Sequence, residues 1–402
     1  MARLIPLTVI AVCVYFWLKS RRAAKSGGSA ATVSGASASG SSGSGSSGSG
    51  SSGSGSSGSG SSASGASRKA NAEAAARLGL LPADRLDTEE INPPSPEDAA
   101  VTEALRAGDW AAGAAYVEEA GRDWYERDRR ISLVAEAAVE DDAWLLAWRR
   151  ERPEDPAAAA VHASSLVYLA WEIRGSKQAR HTTQEQFASF HRVLEEAREA
   201  FARAQELAGD DPTPFIDELP LAMGLGYPHE AFEAIWTEIE KRDPHHYSAY
   251  VSGVQYWCRK WCGSHEQALA FARRGADGAR PGDMLTMFPL EAYFEQESYE
   301  SGIEPQEFYN RPEVVAATDA ALADLAAAEQ LLDARDPRIV RTRHLVAWML
   351  YWQDRYEEAL AQFLLVDGYI GTRPWNYAGD PKARYTKVRD YTAAQVLKAR
   401  GA

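Results

Sequence analysis

Cys258 and Cys262 stand four residues apart, interleaved with Trp257, Arg259, Lys260 and Trp261. Four residues is about one helical turn, so on an unbroken helix both thiols would share a face. As thiolates they could hold a metal or form a redox pair. A structural zinc site needs two further ligands, and the only nearby candidates are His265 and the pair His245-His246. The commoner role of such cysteines is as small core residues. His245-His246 follow Asp243-Pro244 at an expected helix start, where the positive end of the helix dipole favours neutral imidazole. A catalytic histidine needs a partner carboxylate or nucleophile, and no spacing singles one out among the 57 acidic residues. Gly224-Leu-Gly226 lacks the third Gly and the Lys-Ser/Thr of a phosphate loop. Neither a His-Glu-x-x-His helix nor a Gly-x-Ser-x-Gly elbow occurs. No catalytic residue, metal or cofactor is therefore expected.

What the residue types do offer is a contact surface. The chain has 12 Trp and 17 Tyr. Trp144/Trp148, Trp257/Trp261 and Trp348/Trp352 are each spaced to share a helix face, as knobs between helices or as the lining of a groove. Arg259, Lys260, Arg273 and Arg274 form a local basic patch suited to an acidic partner, or a plain solvated face. The residues expected to make contact are Trp171, Arg174, Trp257, Arg259, Lys260, Trp261 and Tyr351.

These residues need a scaffold, and composition restricts which. The chain has 402 residues and a net charge of −14; residues 1–67 hold five basic and no acidic residues, which leaves −19 on the rest. So acidic a body repels phosphate backbones and disfavours nucleic acid as a partner. Three cysteines do not make a disulfide framework.

From Ala70 onward the apolar period is helical. Phe187, Phe190, Leu194, Ala197, Phe201, Ala204 and Leu207 step by three and four onto one face, while Arg192, Glu195, Glu196 and Arg203 fall largely elsewhere. No sustained alternation marks a strand. Thr183-Gln-Glu-Gln186 and Ser264-His-Glu-Gln267 fit capping boxes. Asp-Pro pairs at 155, 211, 243 and 336 offer an N-cap followed by a first helical residue that needs no N–H.

Pro212 and Pro244 are 32 residues apart, close to one helix–turn–helix repeat. Between Asp336 and Phe363, the residues Ala347, Tyr356, Ala359 and Phe363 have the spacing of a tetratricopeptide unit. Glu230-Ala231 and Gln267-Ala268 read as degenerate starts of second helices. The expected fold is all-α: an irregular tetratricopeptide-like (TPR-like) solenoid of helical hairpins. A generic helical bundle is the alternative.

The segment Trp171-Glu-Ile-Arg174-Gly175, the helix around Phe190 to Leu207, Asp211-Pro212, and Lys260-Trp-Cys-Gly-Ser264 through Phe271-Ala272 carry a resemblance. Over roughly residues 140–280 the chain resembles an uncharacterised bacterial family of tetratricopeptide-like proteins. In that family a Lys-Trp-Gly-Gly-Ser turn precedes a helix ending in Phe-Ala; here Cys262 replaces the first Gly. The resemblance implies a fold and carries no chemistry.

The first 67 residues read differently. Leu4 to Leu18 is an uncharged run of 15 residues, roughly 22 Å as a helix against a hydrocarbon core of roughly 30 Å. Lys19, Arg21 and Arg22 can snorkel, and Tyr15 and Trp17 suit the interface. Residues 1–25 are thus expected to anchor the chain in the cell membrane in a single pass through residues 4–18. The basic cluster after the run places the remainder of the chain in the cytoplasm. A cleaved signal would carry its main basic cluster before the run instead. Residues 26–67 hold 34 Gly or Ser among 42 and read as a disordered tether reaching about 35–40 Å. Residues 68–402 are the repeat domain.

The expected function is a membrane-tethered scaffold that binds a partner peptide or protein in a helical-repeat groove. The alternatives are a hydrolase-like enzyme whose site is scattered over several helices, and a structural homo-oligomer.

Overall fold

The computed structural model describes residues 59–175 and 183–401. Among them the chain is all-helical, apart from one isolated parallel bridge between Asp87 and Tyr369. The helices are α1 (Ser59–Arg77), α2 (Pro96–Arg106), α3 (Trp110–Glu119), α4 (Trp124–Glu140), α5 (Ala143–Glu151) and α6 (Pro156–Arg174). The middle of the chain forms α7 (Gln184–Leu207), α8 (Thr213–Ile216), α9 (Leu219–Leu225), α10 (His229–Arg242), α11 (Tyr247–Trp257) and α12 (His265–Asp277). Then come α13 (Phe288–Tyr299), α14 (Pro305–Tyr309), α15 (Pro312–Ala328), α16 (Pro337–Trp352), α17 (Tyr356–Val366) and α18 (Pro381–Ala399). The first described helix begins at Ser59, inside the Gly/Ser-rich stretch; the expected anchor over 1–25 lies outside the described residues. Among the described residues no helix is long and apolar enough to cross a membrane.

Helix starts follow the local code. Asp155 accepts from the backbone N–H groups of Ala157 and Ala158, and Asp336 from that of Arg338, each ahead of a proline. Thr183 and Gln186 close the full capping box; Ser264 accepts from the Gln267 N–H. Two Asp-Pro pairs behave otherwise. Asp211 turns the chain into the short α8 through the Thr213 N–H, and Asp243 ends α10, with α11 starting only at Tyr247. Pro214 and Pro220 interrupt the ladder between them, so the 32-residue unit has a broken first arm, α8 and α9, before the intact α10.

Sequential helices pack as hairpins in a helical-repeat-like architecture, most extensively α6 with α7 and α16 with α17. Ala347, Ala359 and Phe363 are fully buried where the last pair meets. Two glycines let α11 and α12 approach: a Cβ on Gly253 would lie 2.4 Å from the Phe271 ring, and one on Gly275 would lie 2.4 Å from the Tyr250 ring. Of the expected face on α7, Phe190, Leu194, Ala197, Phe201 and Ala204 are buried.

The two ends of the array meet. α1 packs on α18. The loop after α1 pairs with the segment after α17: the Asp87 N–H donates to Gly368 O (2.7 Å), the Ile370 N–H to Asp87 O (2.8 Å) and the Leu81 N–H to the Asp367 carboxylate (2.5 Å). Asn92 reaches Arg335 O at 2.7 Å, across 243 residues. Tyr125, near the start of the array, lies edge-on to Tyr247 in the middle, with ring centroids 6.1 Å apart. The helical path therefore closes, with early and late elements packed into one wall.

Candidate functional site

A recess of about 440 Å³ opens where that wall joins early and late helices. The approach to α2, the first turns of α4 and the start of α16 supply Asp98, Tyr125, Arg129, Ser132, Arg338 and Arg341 to its lining. Asp98, buried, receives both guanidinium nitrogens of Arg129 (2.7 and 3.1 Å) and the Tyr116 hydroxyl. Arg129 also grips Glu126 through two bonds of 2.8 Å, a bidentate fork that fixes its orientation. On the far wall Arg338 pairs with Asp336 at 2.7 Å, and its guanidinium lies 4.1 Å from the Tyr125 ring centre. Burial pushes the Tyr125 phenol up to about 12, against the nearby Arg341 and Arg338 charges, so it stays a neutral hydroxyl at neutral pH. The result is an aromatic side chain against the arginines of α16, in a recess that the Arg129–Asp98 pair also lines: recognition chemistry for a charged, extended segment.

Its hydroxyl and imidazole groups do not assemble a nucleophile. Ser132 Oγ and both ring nitrogens of the buried His246 make no hydrogen bond among the described residues, although His246 lies beside Tyr125. No serine–histidine pair is formed.

The most heavily buried ionic cluster lies further along the wall. Glu291 and Glu295, one turn apart on α13, both accept from Gln255 Nε2 (3.0 and 2.9 Å). Lys260 Nζ donates to Glu295 at 2.7 Å and to the Tyr377 hydroxyl at 3.0 Å, and Tyr377 in turn donates to Glu295. Arg373 pairs with Glu291 at 2.6 Å. The Lys260 and Glu295 side chains are 2% and 4% exposed. Burial raises the Glu291 carboxyl, and the Arg373 charge offsets this only in part. Burial acts on Glu295 too, but the Lys260 and Arg373 charges overcome it and hold that carboxyl below its usual range. The two carboxylates have divergent affinities for a proton, yet every one of their neighbours is a committed partner.

The residues expected to make contact separate into five places. Trp171 and Trp261 meet edge to face, 5.7 Å apart, and the Arg174 guanidinium lies 5.3 Å from the Trp171 ring centre. Trp171 and Arg174 are buried, and Arg174 has no carboxylate partner among the described residues. Trp257 packs instead on His229, with ring centroids 4.5 Å apart. Lys260 turns inward to Glu295, while its neighbour Arg259 lies exposed over Tyr299. Tyr351 joins Tyr356 and Tyr391 near the C-terminal helix. The seven residues thus share no single groove.

The reason is local: α11 ends at Trp257 and the chain turns through residues 258–263. A Cβ on Gly263 would sit 2.2 Å from Trp257 O, so the turn requires glycine there. The same turn decides two alternatives that the sequence leaves open. Cys258 is the last-turn cap and Cys262 lies in the turn, so they do not share a helix face; burial pushes both thiols up, Cys258 far up. No group of metal-ligating side chains assembles among the described residues. The basic patch also disperses: Arg273 donates to the Tyr293 hydroxyl at 2.9 Å, and Arg274 lies near Glu233 and Glu240.

Sequence reasoning did not single out the recess, because its lining comes from positions near 98, 125 and 338. It also missed Glu291 and Glu295, although two acids one turn apart in Phe-Pro-Leu-Glu-Ala-Tyr-Phe-Glu were a usable signal: the six other residues of that stretch are all non-polar or aromatic.

No family model matches the chain, and no curated protein matches it.

Proposed function

We propose that the chain is a non-enzymatic adaptor of the TPR-like type that holds an extended segment of a partner protein in the recess between α2, α4 and α16. In this reading residues 4–18 anchor it in a membrane, and the Gly/Ser-rich stretch before α1 lets the helical body search the cytoplasmic surface over about 30–35 Å. The observation that carries the proposal is Tyr125 under the Arg338 guanidinium, in a recess that the Arg129–Asp98 fork also lines and that is large enough for two or three side chains. Charges arranged in this way set register and partner choice, and the aromatic ring supplies contact area.

A hydrolase of the two-carboxylate type would need a perturbed acid pair that substrate can reach. Glu291 and Glu295 have the perturbation, but Gln255, Lys260, Arg373 and Tyr377 occupy their oxygens, which supports a cross-linking role.

The test is selection of random peptides on the full-length chain in detergent, compared with Tyr125→Ala and Arg338→Glu. Selected peptides are expected to lose at least tenfold in affinity for each variant, in keeping with loss of a central aromatic or a desolvated arginine. Peptides that bind both variants as well as the parent chain would remove the recess from consideration. Turnover of a hydrolase substrate panel that is abolished by Glu291→Gln would favour the enzyme.

A further inference from the structure

A second recess, of about 510 Å³, lies between α5, α6 and α7, away from the first. Its floor is apolar: Ala158, Ala159 and Leu166 from α6, and Ala200 from α7. Three arginines line the recess, and their commitments differ. Arg152 lies near Glu118 and Asp155 at 3.6 and 3.7 Å, and Arg203 pairs with Glu154 and Glu206 at 2.6 and 3.0 Å. Arg149 is half-buried in the same recess and makes no ion pair or hydrogen bond among the described residues. A guanidinium withdrawn from water without a carboxylate leaves one positive charge and a planar fork of donors unanswered. Beside it His162 lines the recess as a neutral ring: burial first, and the Arg149 charge second, pull its pKa to about 4.

The acids of the lining restrict what can enter. They are Glu196 and Glu199, on the helix that also carries Arg203, and Asp155; Glu196 pairs with Arg192 at 2.7 Å and Asp155 accepts from Trp148 Nε1 at 2.9 Å. Three carboxylates around one unmatched arginine repel a dianion such as phosphate and leave room for a single negative charge.

We propose that this recess binds an organic monocarboxylate, whose apolar body lies on the alanine and leucine floor while its carboxylate takes the Arg149 fork next to His162. This is independent of the peptide-binding reading, since the two recesses share no residue.

The experiment uses the full-length chain with imidazole-labelled histidine, titrated with octanoate, with octanol, and with inorganic phosphate. At pH 7 octanoate is expected to shift the His162 ring resonances, and a carboxylate beside the ring favours the imidazolium and so raises the low pKa of this histidine. The charged groups that line the recess with His162 are Arg149, Arg152, Asp155, Glu196, Glu199 and Arg203. Arg149→Gln should weaken octanoate by roughly tenfold or more, the usual loss for a charge-assisted bond. Ala159→Phe, which fills the floor and leaves the charge, should weaken it as well, and serves if the first variant fails to fold. The proposal fails if octanoate does not bind, if octanol binds as tightly, if phosphate binds more tightly, or if both folded variants keep parental affinity.

Discussion

Replacing Lys260 by Met tests the buried ionic cluster directly. The substitution keeps the length of the side chain and removes the ammonium that lies 2.7 Å from Glu295. With the lysine and glutamate side chains only 2% and 4% exposed, solvent cannot screen the charge left behind. Removing one partner of a buried pair costs about 3–5 kcal/mol, or roughly 6–12 °C in melting temperature for a large domain. Equilibrium unfolding in guanidinium, followed by tryptophan fluorescence, measures it. The companion Glu295→Gln and the double variant complete a cycle, in which the double variant should cost at least about 1 kcal/mol less than the sum of the singles.

The pH dependence supplies a second arm. Because Glu295 has a lowered pKa in the fold, its contribution is present above the ordinary carboxylate range and is lost as pH falls through the folded value. Without Lys260 its pKa rises, the acid takes up a proton, and the deficit of Lys260→Met shrinks from pH 7 to pH 4. Glu291, raised by burial, has the opposite slope, stabilising below the unfolded pKa and losing that contribution as pH rises. Additive costs in the cycle, or a deficit unchanged between pH 7 and pH 4, would refute the reasoning.

His344 is wholly buried and held neutral, its Nδ1 accepting from Trp375 Nε1 at 2.9 Å and its Nε2 donating to Tyr369 O at 3.1 Å. Burial lowers its pKa to about 3. The unfolded chain therefore takes up a proton that the fold refuses, and stability should fall from pH 6.5 downward by up to roughly 5 kcal/mol at pH 3; His344→Phe should flatten that limb of a pH–stability curve. Gly263→Ala should destabilise more than Gly275→Ala in chemical denaturation, because its Cβ meets backbone at 2.2 Å and the other meets only the Tyr250 ring. Native Cys258 should resist alkylation at pH 8 while guanidinium-unfolded protein reacts within minutes, as mass spectrometry would report.

Much of the architecture is local and was readable for that reason. The Thr183 box, the Asp155 and Asp336 caps and the buried stripe on α7 depend on residues within a turn or two of one another. Closure of the array is not of that type. It rests on Asp87 meeting Gly368 and Ile370, and on Asn92 meeting Arg335, pairings that no periodicity encodes. The candidate recess inherits this difficulty. Tyr125 and Arg338 each look like ordinary helix-start residues, and only closure sets one on the other.

Lys260 shows how a local ambiguity becomes a functional misreading. In the sequence it belongs to a cationic run with Arg259, and on a continuous helix both would be candidates for a solvent-facing patch. Helix α11 stops at Trp257, the turn through Gly263 reverses the chain, and neighbours in sequence part company: Arg259 remains outside and Lys260 enters the wall. What decides its direction is demand from elsewhere. Two glutamates set among Phe288, Leu290, Tyr293 and Phe294 cannot be hydrated, so the fold must bring cations to them. One cation comes from the α11–α12 turn and the other, Arg373, from the loop before α18. Each is drawn in by the same acidic helix, and α13 thereby ties the middle of the array to its end. By the same logic Arg149, a cation in a recess with no acid paired to it among the described residues, is where we propose that a charge from outside the chain is accepted.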